Sequence, residues 1–323
     1  MPEDALQPGN TTFDAYLRRA SEGRNSMPRL AAAIMLIILS YAIPIALAVL
    51  MTIGVGWSPV DDLESRSGIA IALLSIIWLL PATALALRFV HRRRSTGVLG
   101  VGGSVSWRQF GRAFVTTMIV MVAATLVGLV FDPRIDRGPA SLGTWAAYAP
   151  LFVILILLQT AAEEVFFRGY LVQTLASRFS RSLVWFGLPA ILFTLLHWNG
   201  EVGTVMNLGA LATIATFAVA ATVLLVRTGN LGAAMGFHFA NNIVALLFFS
   251  SSTAFNSIAL FVLPPIEGQE WNATDAVLFA AMQITAIVFV TLLLLHARSP
   301  FRIGADHAKM EVQEYPEPVA PDR

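Results

Sequence analysis

Eight apolar runs, most of them long enough to cross a lipid bilayer as a helix, dominate this sequence. A helical span needs about 20 apolar residues, because each residue advances the helix by about 1.5 Å through a hydrocarbon core about 30 Å thick. Of the 323 residues, 56% are hydrophobic and 13% charged, and that charged fraction is about half the value of a soluble domain. We therefore predict an all-α, polytopic membrane protein. The candidate spans are 30–54, 68–90, 113–131, 146–175, 183–200, 207–226, 231–250 and 275–296.

The basic residues fall into every second connection, in agreement with eight spans. Arginines precede the first span and follow the second, fourth, sixth and eighth, whereas the other connections carry no excess of basic residues. Since basic loops stay on the cytoplasmic side, both termini are predicted to be cytoplasmic. The net charge of +1 argues against a nucleic-acid partner, and the absence of cysteine excludes disulfides and thiolate chemistry.

The spans divide the chain into five predicted segments. They are a polar cytoplasmic segment (1–28), three N-terminal spans (29–135), a core of four spans (145–250), an extracytoplasmic loop with the last span (251–299), and a cytoplasmic tail expected to be disordered (300–323). The apolar stretch 255–268 is short and ends near Pro-Pro, so it is expected to be interfacial or re-entrant. The aromatic and basic stretch 100–114 is either an amphipathic surface segment or an ordinary linker.

Ionisable and amide side chains cluster on three of the spans. A charge inside the membrane costs at least a few kcal/mol, so these groups require partners or a water-filled cavity. The polar residues are Glu163, Glu164 and Arg168 in the fourth span, His197 in the fifth, and His238 and Asn242 in the seventh.

Helical spacing separates the two carboxylates of the fourth span. Glu164 and Arg168 are four residues apart and share a helix face, so they can form an ion pair. Glu163 is rotated from Glu164 by about 100° and must find its partner on another span. His197 is the best candidate for that partner.

Taken singly, each of these polar groups has an ordinary structural explanation. An ion pair or an asparagine can simply fasten one helix to another. Together, on three helices, they predict a water-filled pocket in which a carboxylate and a histidine act as general bases. A zinc site is the alternative, with Glu163, His197 and His238 as ligands and water in the fourth position. Against zinc, the sequence has no His-Glu-x-x-His motif.

Three motifs in this region resemble the CPBP family of intramembrane proteases, also called the CAAX protease and bacteriocin-processing (Abi) family. The family pattern is Glu-Glu-x-x-x-Arg, Phe-x-x-x-His and His-x-x-x-Asn (or Asp). Here the motifs read EEVFFR at 163–168, FTLLH at 193–197 and HFANN at 238–242, in the family order. The resemblance implies a membrane-embedded endopeptidase that uses no serine, threonine or cysteine nucleophile.

The resemblance also implies a role for each motif residue. Glu163 and His197 would activate a water, while His238 and Asn242 would stabilise the oxyanion. The supporting residues would be Glu164, Arg168 and Phe193. No cofactor is implied, apart from the zinc alternative.

The expected substrate is a membrane-associated protein or peptide, of CAAX or bacteriocin type. The composition favours a prokaryotic plasma membrane, with the site opening toward the cytoplasm or the lipid. Two other function classes stay open. One is a non-catalytic immunity or scaffold protein of the same fold. The other is a transporter with a proton relay, which would be expected to contain internal repeats, and none is evident.

Overall fold

The structure, a computed structural model, describes residues 11–21, 23–55 and 64–304 and consists mainly of helices. Helix α1 covers Thr11–Ser21. Helices α2 to α9 cover Met27–Leu50, Arg66–Val90, Trp107–Phe131, Leu142–Ala176, Leu183–Leu195, Thr204–Thr228, Gly232–Phe248 and Ala273–Leu295, and helical backbone follows α2 as far as Val55. The predicted all-α fold is confirmed.

Helices α2 to α9 fall on the eight predicted spans, although with different lengths. Within the described residues, six of them are long and apolar enough to cross a membrane, and α6 and α8 are shorter apolar helices. Helix α6 ends at Leu195, five residues before the predicted end of the fifth span. Residues 1–10, 56–63 and 305–323, which include most of the predicted tail and the acidic residues Asp61 and Asp62, lie outside the described residues. The number of spans and the side of the termini therefore stay predictions.

A buried polar network fastens α1 to the end of α5. Tyr16 of α1 is buried, and its hydroxyl donates a hydrogen bond to the carbonyl oxygen of Val98 at 2.8 Å. This burial raises the pKa of the Tyr16 hydroxyl. The side-chain amide of Gln173 in α5 donates to the carbonyl oxygens of Tyr16 and Gly97 at 2.9 and 3.0 Å. The predicted polar N-terminal segment therefore contains a helix that packs on the protein core.

Two glycines allow α8 to pack directly on the backbone of α4. A Cβ atom on Gly236 would lie 2.2 Å from the carbonyl oxygen of Phe110, and one on Gly232 would lie 2.4 Å from that of Ser106. Real side chains do not tolerate such distances. Small residues at helix interfaces in membranes permit this kind of close approach. The contact holds α8 in place, and α8 carries His238 and Asn242.

Helix α5 is unusually long and changes from an α-helix to a π-helix next to the candidate site. Its 35 residues would extend about 50 Å, well beyond a hydrocarbon core of about 30 Å. The backbone is α-helical from Leu142 to Glu164 and π-helical from Val165 to Val172. Such π-helical turns are rare and occur frequently at functional sites. The change of winding falls between Glu164 and Arg168.

Short strands and loops join the helices outside the bundle. Strand β3 (Phe261–Val262) pairs antiparallel with β1 (Asp136–Arg137) and parallel with β2 (Phe249–Ser250). The stretch 255–268, expected to be interfacial or re-entrant, thus supplies the central strand of a small sheet. In the stretch 100–114, no separate surface helix is described, because α4 already begins at Trp107.

We expect Gly236→Ala to destabilise the protein, because the added methyl group would collide with backbone rather than with a mobile side chain. Overpacking of this kind typically costs about 1–3 kcal/mol. The measurement is the thermal unfolding midpoint of the purified protein in detergent. Gly111→Ala in α4 is the matched control, since a Cβ atom there meets nothing within 4 Å. Equal midpoints for the two variants would contradict the close α4–α8 contact.

Candidate functional site

The imidazole of His238 lies between the two carboxylates of α5. Its Nδ1 atom is 2.8 Å from Oε1 of Glu164, and its Nε2 atom is 3.6 Å from Oε2 of Glu163. All three side chains are buried. Helix α8 thereby contributes one group that contacts both neighbouring glutamates, although their positions on α5 differ by a rotation of about 100°.

Glu164 also forms an ion pair with Arg168 of its own helix. Nη1 of Arg168 donates to Oε1 of Glu164 at 2.8 Å, and both side chains are almost completely buried. The predicted ion pair is therefore formed. The same oxygen accepts from His238, so Glu164 has a second role that its spacing from Arg168 did not indicate. Because an ionised carboxylate only accepts hydrogen bonds, Nδ1 of His238 carries the proton in this contact.

An aromatic wall covers the ion pair. The guanidinium carbon of Arg168 lies 4.3 Å from the ring centre of Phe193 and 5.9 Å from that of Phe217, distances that allow cation–π attraction. The ring of Phe217 is also 4.8 Å from the imidazole of His238. Sequence reasoning identified Phe193 but missed Phe217, because a phenylalanine within an apolar span carries no signal of its own.

His197 lies at the edge of the site rather than inside it. Its side chain is exposed, and it follows the last turn of α6. Its Nδ1 atom is 2.7 Å from the carbonyl oxygen of Phe193. A carbonyl only accepts, so Nδ1 carries the proton, and the lone pair of the neutral ring is on Nε2.

The direct pair expected between Glu163 and His197 is absent from the described contacts. The imidazole within ion-pairing distance of Glu163 is that of His238. The reason is the length of α6, which ends at Leu195 and leaves His197 on the following turn. The side chain of Glu163 has no hydrogen bond to its own helix among the described residues, and its Oε2 atom is buried without a hydrogen-bond partner.

Asn242 contacts a residue that sequence reasoning did not single out. Its Nδ2 atom donates to Oε1 of Gln159 at 3.1 Å, and Gln159 is 5% exposed. Gln159 precedes Glu163 by four residues and so shares its helix face. That spacing was visible in the sequence, but a glutamine one turn from a carboxylate is too common to be informative alone.

The zinc set considered from the sequence is not assembled. Within 11–21, 23–55 and 64–304, no group of three or more His, Cys, Asp or Glu side chains is arranged to hold a metal ion. One nitrogen of His238 contacts Glu164, and His197 is turned toward a backbone carbonyl. These contacts occupy one nitrogen of each imidazole, as they also do in histidines that bind a metal through the other nitrogen, so the zinc alternative stays a prediction.

Comparison with known proteins gives one family and one relative. Residues 145–244 match the Rce1-like family, described as type II CAAX prenyl endopeptidase Rce1-like. The uncharacterized protein YyaK of Bacillus subtilis (strain 168) is 29% identical over 252 residues, which cover 73% of this chain and 82% of YyaK. No solved structure matches the chain. The matched family segment contains all three motifs and the parts of α5 and α8 that carry the Glu163–His238–Glu164 contacts. The predicted resemblance to the CPBP family is thus confirmed for residues 145–244, which are similar to Rce1-like CAAX endopeptidases, and this chain is an integral, polytopic membrane protein.

Proposed function

We propose that the chain hydrolyses peptide bonds of membrane-associated proteins or peptides with a water activated by Glu163 and His197. His238 and Asn242 stabilise the oxyanion of the tetrahedral intermediate. The observation that carries the proposal is the buried chain of contacts from Arg168 through Glu164 and His238 to Glu163. A purely structural ion pair would require only the first two of these side chains.

Charge balance supports His238 as a hydrogen-bond donor to the oxyanion. With His238 neutral, the two glutamates and Arg168 leave this buried cluster with a formal charge of −1. A protonated His238 brings the formal charge to zero, and an unbalanced charge is costly in an apolar interior. In that state Nε2 carries a hydrogen on the side of Glu163, where an attacked carbonyl would lie. A preorganised donor of this kind typically contributes about 3–4 kcal/mol to lowering the barrier.

Glu163 and His197 each have an acceptor atom without a hydrogen bond, which a base requires. Oε2 of Glu163 accepts no hydrogen bond, and the tautomer of His197 leaves the lone pair of Nε2 unused. A water between them can donate one hydrogen to each group. Because His197 is exposed and Glu163 is buried, such a water would lie at the edge of the site, where a substrate chain can reach it.

The reaction balances without a cofactor. The water oxygen attacks the peptide carbonyl carbon while Glu163 accepts a water proton, and the carbonyl oxygen becomes the oxyanion held by His238 and Asn242. The carbon–nitrogen bond then breaks, and the leaving amine takes a proton from the Glu163–His197 pair. The products are one carboxylic acid and one amine, which become a carboxylate and an ammonium group when the acid passes its proton to the amine. We place the enzyme in a prokaryotic plasma membrane, with the site open to the cytoplasm or the lipid.

We expect Glu163→Gln to abolish cleavage while leaving the unfolding midpoint nearly unchanged. The amide keeps the shape of the side chain but cannot accept the water proton, and loss of a general base typically lowers the rate by about 10²–10⁴-fold. The measurement is mass spectrometry of new peptide termini in membranes from cells producing each variant. Glu201→Gln is the control, because Glu201 is exposed on the α6–α7 connection. Identical peptide termini for wild type and Glu163→Gln would refute the protease assignment.

We expect Arg168→Met to reduce both stability and activity, unlike Glu163→Gln. Removing one partner of a buried ion pair leaves the other charge uncompensated and costs about 3–5 kcal/mol. The unfolding midpoint in detergent reports this loss. Arg134→Met is the control, since Arg134 pairs with Asp132 at the surface and an exposed pair contributes only about 0–1 kcal/mol. A wild-type midpoint for Arg168→Met would contradict the described burial.

We expect 1,10-phenanthroline to leave the cleavage rate unchanged, because the proposed water activation uses side chains alone. The measurement is the rate of the purified protein on a cleaved peptide, before and after incubation with the chelator. Loss of activity that added zinc restores would overturn the metal-free mechanism and favour Glu163, His197 and His238 as zinc ligands.

A further inference from the structure

We propose that Gln159 is a positioning residue that fixes the amide of Asn242 in the orientation needed for oxyanion binding. This inference rests on the proposed function and extends the site by one residue that lies outside the three motifs. It is carried by the side-chain hydrogen bond from Nδ2 of Asn242 to Oε1 of Gln159, 3.1 Å long.

The contact belongs to a regular arrangement between α5 and α8. Glu163 faces His238, and Gln159 faces Asn242. On α5, Gln159 and Glu163 are four positions apart, and on α8 the same separation holds for His238 and Asn242. Residues at this separation lie on one face of their helix. The two contacts therefore lie one helical turn apart along the same interface. Gln159 therefore contacts Asn242 one turn away from the place where Glu163 contacts His238.

The amide of Asn242 needs such a neighbour because its two ends differ chemically. The Nδ2 end donates two hydrogen bonds, whereas the Oδ1 end only accepts. An asparagine turned by 180° would present its oxygen, which repels an oxyanion. A bond to the side-chain oxygen Oε1 of Gln159 engages one hydrogen of Nδ2 and leaves the second for the substrate.

A second contact favours the same orientation. Nδ2 of Asn241 lies 3.4 Å from Oδ1 of Asn242, so the oxygen end faces a donor while the nitrogen end faces an acceptor. If the Asn242 amide were turned by 180°, its Oδ1 would face Oε1 of Gln159, and two acceptors would meet. Its Nδ2 would then face Nδ2 of Asn241, and two donors would meet. Gln159 is the buried one of these two neighbours, with 5% of its surface exposed.

A double-mutant cycle tests whether Gln159 acts through Asn242. The variants are Gln159→Met, Asn242→Ala and the combination, and the substrate is a fluorogenic peptide built on a cleavage site mapped in wild-type membranes. We expect Gln159→Met to lower kcat about tenfold, because the loss of one hydrogen bond raises the barrier by an amount that corresponds to about this factor. KM should stay within about twofold of wild type. In the Asn242→Ala background, the same substitution should leave kcat unchanged, since residues that act through one another are not additive.

Gln109→Met is the matched control for the loss of a buried glutamine. Gln109 of α4 is 1% exposed, and neither of its amide atoms has a hydrogen-bond partner in the described part of the chain. Its substitution should leave kcat at the wild-type value. If Gln159→Met does not fold, as judged by its unfolding midpoint, Gln159→Leu takes its place in the cycle.

Two results for Gln159→Met would overturn the inference directly. One is an unchanged kcat for Gln159→Met, and the other is an equal loss in the presence and absence of Asn242. If Asn242→Ala itself keeps wild-type kcat, the oxyanion role fails and the role of Gln159 fails with it. Failure of the protease assignment as a whole is recognised separately, because the peptide termini in membranes would then be identical for wild type and Glu163→Gln.

Discussion

The sharing of one carboxylate oxygen by Arg168 and His238 is the interaction on which the rest of the site depends. Oε1 of Glu164 accepts from both side chains at 2.8 Å, in a region where water does not compete. Ion pairs in such surroundings persist only if the charges and hydrogen bonds are matched. Glu164 therefore connects a charge on its own helix to a ring on another helix, and it orients that ring toward Glu163.

The packing of the helices makes this sharing possible. Helix α8 approaches α4 closely because Gly232 and Gly236 have no side chains in the contact, and its other face presents His238 to α5. On α5, the backbone changes from α- to π-helical directly after Glu164. Phe193 and Phe217 then close over Arg168. Each of these features brings polar groups together while apolar atoms surround them.

The parts of the site that lie on a single helix could be predicted from the sequence. The spacing of four between Glu164 and Arg168 specifies a contact within one helix, and the structure contains it. The partner of Glu163 could not be predicted in this way, because it depends on where α6 ends. With α6 ending at Leu195, His197 lies on the rim of the site, and His238 is the imidazole beside Glu163.

The sequence by itself determined the all-helical membrane fold, the ion pair and the three motifs of the core. These properties follow from residue composition and from intervals of a few residues along one helix, which the chain geometry converts into contacts without further information. Only the tertiary structure decided that His238 contacts both glutamates, that Phe217 covers Arg168 and that Gln159 meets Asn242. These contacts join side chains on different helices, and their distances depend on how closely the helices pack and where each one ends.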